Sequence, residues 1–306
     1  MSLPYTGSGP YCYANCLSMM LGPDSPGPAY LEVLTGSPFG MQLLGGRIPL
    51  FDPYGWDPDL GIDAALASLG WECRRSTGGD SDTALSMLRA AVKEGPVMVG
   101  PVELGLLRHQ PGMTGALGAD HWVVVLDIDG DTVVMHDPQG YPYATLPVAE
   151  FALAWQADQI PWINAPFVMR TEFRKTRDIG AGEALRTALP AAVDWLSNKY
   201  DGPVPPGNLG TAEALYRLAE LTEAGLDGDT RGHLVHFAVR VGARRLNDAA
   251  VALAEIGEAG PATIAARQSR LLGSLQYDLV NGDDAKAAAT MRRMAPGYDE
   301  LAAALR

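Results

Sequence analysis

Apolar positions recur with helical spacing near the start of the chain. Tyr13, Cys16, Leu17, Met20 and Leu21 fall at i, i+3, i+4, i+7 and i+8, which predicts one helix with a buried stripe. Ser8, Gly9 and Pro10 are its start signals, and Gly22-Pro23 stops it. The pattern then changes several times. "GIDAALASLGWEC" reads as a helix running into a strand, and "DTALSMLRAAVKEG" as an amphipathic helix ended by Gly95-Pro96. "PVMVGPVEL" reads as a short buried strand. "HWVVVLDI" and "TVVMHD" are valine-rich strands around a turn at Asp129-Gly130. "LPVAEFALAWQA" predicts another helix and "APFVMRTEF" a closing strand. Between Leu43 and Pro58, "LLGGRIPLFDPYGW" shows neither period and is expected to be a long irregular loop.

Beyond the stretch from Lys175 to Gly180 the strand signals vanish. "GEALRTALPAAVDWLSNKY", with Pro190 as a kink, "TAEALYRLAELTEAG", "RGHLVHFAVRVGARRL", "NDAAVALAEIGEAG" and the segments after them all read as helices. The expected organisation is α+β: residues 1–177 as a domain with a nucleophile helix and an antiparallel sheet, and residues 178–306 as an all-helical domain. A chain of 306 residues fits two domains.

Composition narrows the partners. Hydrophobic residues make up 47% and charged residues 19%, an ordinary globular mixture. The net charge of −13 weighs against nucleic acid and against a basic membrane-surface anchor. "MSLPYTGSGP" has no basic region followed by an apolar run, and no apolar stretch reaches spanning length, so neither a signal peptide nor a membrane segment is expected. Three cysteines are too few, and odd in number, for a disulfide scaffold; the cytoplasm is the expected compartment.

Two of those cysteines share the first helix. Cys16 lies in the buried stripe and reads as a small core hydrophobe. Cys12 lies in the first turn, where the positive helix end favours thiolate, and is the nucleophile candidate. A C-x3-C spacing with no second cluster argues against zinc, and no cofactor is expected. A nucleophilic cysteine needs a base and an orienter. His109, in a glycine-rich loop, reads as an exposed loop residue or as part of a mobile rim over the site. His136 reads as an outward-facing strand residue. His233 and His236, three apart on one helix face, could be metal ligands, but with no carboxylate in a matching local motif they read better as packing or capping residues. His121 opens the first valine-rich strand. A three-residue turn, Ile128 to Gly130, puts His121 opposite Asp137 on one face. A two-residue turn, Asp129-Gly130, puts it opposite Pro138 and on the face of His136. The residues leave both registers open.

"CYANCLSMML" resembles the nucleophile helix of papain-like bacterial cysteine enzymes, the C-G-x-x-x-L-x-M-x-L block of bacteriocin-processing peptidases, with Cys12, Leu17, Met19 and Leu21 on its fixed positions. "DHWVVVLDIDGDTVVMHDP" resembles the second block of that group. "YLEVLTGSPFG" resembles a Glu-x3-Gly-x2-Phe segment of the butirosin-biosynthesis protein H family, in which a papain-like domain precedes a helical one. This resemblance implies the triad Cys12, His121 and Asp137, favours the first register, and implies acyl transfer from a carrier-protein thioester to an amine. Two positions depart from the pattern. Thr6 stands where a glutamine donor to the oxyanion is usual, and Tyr13 replaces a glycine. The backbone N–H of Cys12 is one oxyanion donor; Thr6, Ser8 and Tyr5 are candidates for a second, and Tyr13 borders the same position.

Three functions are therefore carried forward: an acyltransferase of secondary metabolism that uses an acyl carrier protein or small acyl thioester and an amine acceptor, a cysteine peptidase or amidase with the same triad, and a non-catalytic binding module. A homodimer is one further role for the helical half.

Overall fold

The computed structural model describes residues 3, 5–7, 9–163 and 165–306. In chain order the first elements are helices α1 (Cys12–Leu21) and α2 (Pro28–Leu34), strands β1 (Gln42–Leu44) and β2 (Ile48–Leu50), and helix α3 (Pro58–Ser68). Strand β3 (Trp71–Thr77), helix α4 (Ser81–Glu94), and strands β4 (Val97–Glu103), β5 (Asp120–Asp129), β6 (Thr132–Asp137) and β7 (Tyr141–Pro147) follow. Helix α5 (Val148–Gln156) and strand β8 (Val168–Lys175) close the mixed part. Then come α6 (Ala181–Leu196), β9 (Leu209–Gly210), α7 (Thr211–Ala224), α8 (Gly228–His233), α9 (Val239–Glu255), α10 (Ala259–Asn281), α11 (Asp284–Met294) and α12 (Pro296–Ala304).

The chain divides into two compact units. One holds residues 1–28 and 70–177; the other holds 29–69 and 178–306. The sequence analysis drew one boundary, at 177/178. Two further crossings, at 28/29 and 69/70, place α2, the β1–β2 hairpin and α3 with the helical half.

In the first unit an antiparallel sheet runs β3-β8-β4-β5-β6-β7. Val99, Val123, Val125, Val133 and Met135 form one apolar face, covered by Leu88 of α4 and by Phe151 and Trp155 of α5. Trp122 and Val124 alternate with these and point the other way. Helix α1 packs against β4 and β5, with Tyr13 edge-on to Trp122.

The second unit is helical apart from a small sheet, β2-β1-β9. This corrects two expectations. The 43–58 stretch is not wholly irregular: Leu44 pairs with Ile48 around Gly45 to Arg47, and Gly45 and Gly46 both have positive φ. The helical half is not purely α either, because Leu209 pairs with Leu43. A guanidinium ties the early segment to the late one. Arg245 of α9 donates from Nε to Glu32 Oε1 (2.8 Å) and from Nη1 to Asp52 Oδ2 (3.1 Å) and the Phe51 carbonyl (3.0 Å). Gln42 donates to the other oxygen of Asp52 at 2.8 Å. All four side chains are buried.

The two helices expected over residues 231–246 and 247–260 are not separate, because α9 (Val239–Glu255) runs across the expected break. A π-helical turn, Leu234–Ala238, joins α8 to α9. His233 donates its Nε2 hydrogen to the Pro49 carbonyl (2.9 Å), and burial pushes the pKa of its imidazole down.

Candidate active site

Cys12 is the first residue of α1 and is half-buried. Tyr11 before it is left-handed, with φ 86° and ψ 45°, a conformation that costs a non-glycine residue about 1–3 kcal/mol. It is held there by burial of its ring and by Asn15, whose side-chain amide and backbone N–H both donate to the Tyr11 carbonyl at 2.8 Å. The helix therefore starts abruptly, with the thiol-bearing residue at its positive end and no acidic residue in its first turn. Cys16 behaves differently. Burial first, then the negative charges of Cys12 and Asp137, push its thiol well above the usual range.

The β5–β6 hairpin matches neither register open to the sequence. Asp129 pairs with Thr132, so the turn residues are Gly130 and Asp131; a bulge between Val125 and Asp127 then shifts the ladder to Val124↔His136. His121 and Asp137 stand diagonally on one face instead of directly opposite, still within reach of a long side chain. They meet: His121 Nε2 lies 2.8 Å from Asp137 Oδ1. Their side chains are 1% and 0% exposed. His136 lies on the other face and is buried, not outward-facing. Its Nε2 donates to the Leu3 carbonyl (2.9 Å) and its Nδ1 accepts the Tyr143 N–H (3.1 Å), so both ring nitrogens are engaged.

Asp137 collects more donors than the sequence suggested. The Gln139 N–H reaches Oδ1 at 2.8 Å. Oδ2 takes Gln110 Nε2 at 2.6 Å and His109 Nε2 at 2.8 Å. Burial by itself would push this carboxyl up. It is outweighed by the His121 charge and by the hydrogen bonds from His109, His121 and the Gln139 N–H, which hold it far below the ordinary carboxylate range. An ionised carboxylate only accepts, so both imidazoles present Nε2–H to it, and in its neutral form each ring then carries its lone pair on Nδ1.

His109 is thus not an exposed loop residue; its side chain is 8% exposed. The loop that carries it is organised by Glu103, which is buried. One Glu103 oxygen accepts from the N–H groups of Gly105 (3.0 Å) and Leu117 (2.8 Å), the other from Gly118 (3.0 Å). Sequence reading missed Glu103 and Gln110, and only the proximity of "HQ" to His121 along the chain pointed toward this loop.

The oxyanion candidates fare unequally. Tyr5 donates its hydroxyl to the Asp137 carbonyl (3.1 Å) and accepts the Gly140 N–H (2.8 Å), which braces the turn after β6 and uses its one hydroxyl hydrogen. Tyr13 is buried with its ring centroid 5.6 Å from that of Trp122. Because Tyr13 follows Cys12 and Trp122 follows His121, this pair holds the start of α1 beside the start of β5. Thr6 is half-buried in the N-terminal segment, and Ser8 lies outside the described residues. Among the described residues no group of three or more His, Cys, Asp or Glu side chains is arranged to hold a metal ion. No helix among them is long and apolar enough to cross a membrane.

Two similarities to known proteins accompany this geometry. Residues 205–306 match the family described as the YobF C-terminal domain. Over 254 residues the chain is 29% identical to the uncharacterized protein YobF of Bacillus subtilis (strain 168), covering 81% of each sequence. The aligned length exceeds that of the helical half, so the likeness takes in residues of both units.

Proposed function

We propose that the protein is a cysteine acyltransferase in which Cys12 is the nucleophile, His121 the base and Asp137 the residue that orients His121. The observation that carries this reading is the buried contact between His121 Nε2 and Asp137 Oδ1 at 2.8 Å. It fixes the tautomer with the lone pair on Nδ1, the form a general base needs. His121 and Asp137 end the strand rows that begin at Val123 and Met135, and Tyr13 against Trp122 holds Cys12 at that same end of β5. In this reading the thiol approaches His121 around the end of the strand.

The steps balance as follows. The Cys12 thiol gives its proton to His121 Nδ1, and the thiolate attacks the carbonyl carbon of an acyl thioester. The tetrahedral intermediate expels the donor thiolate, which takes the proton from His121. An amine then attacks the acyl-Cys12 carbonyl carbon and loses a proton to His121. The Cys12 sulfur leaves and recovers that proton. With water in place of the amine the same residues would act as a peptidase or amidase. An acidic carrier protein meeting a chain of net charge −13 needs a local basic surface. The candidate residues are Arg74 and Arg75 on edge strand β3 and Arg174 on β8, of which Arg74 is ion-paired with Glu172 and Arg174 with Glu72.

Intact-mass measurement with a panel of acyl thioesters and peptides tests this. A mass gain at Cys12 from thioesters, released by amines, supports transfer. Adducts or turnover only with peptides would establish the hydrolase. No adduct from any donor, with Cys12 no more reactive than Cys16 or Cys73, would leave the binding module.

A further inference from the structure

We infer that His109 is a positioning residue for the same site: it holds the second oxygen of Asp137, so that one carboxylate is shared between two imidazoles and the 104–118 loop is fastened to the His121 pair. The inference rests on the reading of Cys12, His121 and Asp137 given above.

The geometry has three parts. First, the two histidines occupy different oxygens at the same distance, 2.8 Å, His121 on Oδ1 and His109 on Oδ2. Neither displaces the other, and each restricts rotation of the carboxylate for its counterpart. Second, the His109 ring has no other polar anchor among the described residues. Its Nδ1 is buried without a hydrogen-bond partner among them, and its ring packs in a T-shape with Tyr141, centroids 5.5 Å apart. A histidine desolvated at this cost keeps its place through the one bond it makes, to Asp137. Third, the base of its loop is fixed independently by the three backbone N–H groups on Glu103, while Pro111, Gly112 and the 114–117 stretch are exposed. A substrate that presses on the exposed part of the loop acts on Asp137 through His109 and Gln110.

The electrostatic consequence has a definite sign. Each hydrogen bond that Asp137 accepts on Oδ2 withdraws electron density from the carboxylate and weakens its hold on a proton at His121. The groups that face this carboxylate are His121 from β5, His109 and Gln110 from the loop, the Gln139 N–H after β6, Cys16 from α1, and Tyr5 at its backbone carbonyl. Of these, His109 is an imidazole donor whose ring is replaceable without touching the His121 contact. Loss of its hydrogen bond should strengthen the imidazolium at His121 and carry the Cys12–His121 ion pair to higher pH.

The test is the rate of Cys12 alkylation by iodoacetamide across pH in the full chain. His109→Phe keeps an aromatic ring against Tyr141 and removes the donor; His109→Gln restores a donor. His109→Phe should move the upper inflection of the rate–pH curve upward by about half a unit or more, with His109→Gln close to the parent. In proton NMR of the parent, two hydrogen-bonded imidazole N–H resonances should appear far downfield, and His109→Phe should remove one and shift the other. A uniformly slower rate with both inflections unmoved, or both variants identical to the parent, overturns the inference. If His121→Ala also leaves the alkylation unchanged, the triad reading itself fails. If His121→Ala abolishes the fast reaction while His109→Phe shifts nothing, only the role of His109 falls.

Discussion

Two buried aspartates, one in each unit, have opposite electrostatics. Asp137 is held far below the ordinary carboxylate range, whereas Asp52 is pushed up, burial outweighing Arg245 and Gln42. Both are hydrogen-bonded and neither is fully exposed to water. The difference lies in the supply of donors. Asp137 takes four, from His121, His109, Gln110 and the Gln139 backbone. Asp52 shares one guanidinium with a second carboxylate, Glu32. Two imidazoles hydrogen-bond Asp137 directly, whereas the cation hydrogen-bonded to Asp52 is a guanidinium, which stays charged, with the His233 imidazole acting on it only at longer range. The first cluster brings ring nitrogens onto a carboxylate; the second joins chain segments far apart in sequence.

The sharpest way to break this contrast is at the imidazole. His121→Ala should slow Cys12 alkylation at neutral pH by about 10²-fold or more, as read by peptide mapping, leaving Cys16 as unreactive as before. Asp137→Asn should lower acyl transfer by about 10²–10⁴-fold, because an amide no longer enforces the Nε2–H tautomer. In the other unit, Arg245→Ala leaves Glu32 and Asp52 buried together without their cation. The cost should be about 3–5 kcal/mol in chemical denaturation, and the alkylation rate of Cys12 in the folded fraction should not change.

Acid should separate the two clusters by sign. The folded Asp137 pKa lies below its unfolded value of about 3.9, so its contribution is present above that pH and is lost as pH falls further. The folded Asp52 pKa lies above the same value, so Asp52 costs stability at neutral pH and that cost shrinks on acidification. Hydrogen exchange resolved by unit between about pH 5 and 2 should show the Asp137 surroundings loosening first, once the pH passes below about 3.9. The smallest effect belongs to His136→Gln: the residue is on the far face with both nitrogens committed, and Cys12 alkylation should stay within about twofold of the parent.

Much of the scaffold was legible in the sequence because it follows local periodicity. The stripe Tyr13, Cys16, Leu17, Met20 and Leu21 marked α1, although the helix is buried on nearly every side and Met20 is the stripe residue left half-buried, and the valine-rich runs marked β5 and β6. The hairpin register was not legible, since Asp129-Gly130 and Gly130-Asp131 carry the same turn chemistry, and the bulge after Val125 has no sequence signal. His121 and Asp137 met all the same, because a shift of two residues preserves the face. Arg245 could not have been foreseen as the partner of Glu32 and Asp52: it follows them by 213 and 193 residues, and nothing local marks an arginine in an amphipathic helix as buried. The Gly45-Gly46 pair between apolar runs did carry a hairpin signal, and it was outweighed by the prolines and aromatics that follow.

The interleaving of the two units has a consequence during synthesis. Residues 29–69 leave the ribosome well before 178–306, the rest of the unit they belong to. At about 5–20 residues per second, the 176 residues from 70 to 245 delay the arrival of Arg245 by roughly 9–35 s. Until Arg245 emerges, Glu32 and Asp52 have no guanidinium to follow into the interior and stay hydrated. The segments of the first unit, by contrast, are all in hand once residue 177 has been made. The nascent chain therefore carries a complete first unit with an unfinished loop of 41 residues (29–69) within it, an open target for chaperones and proteases that closes only when α9 arrives.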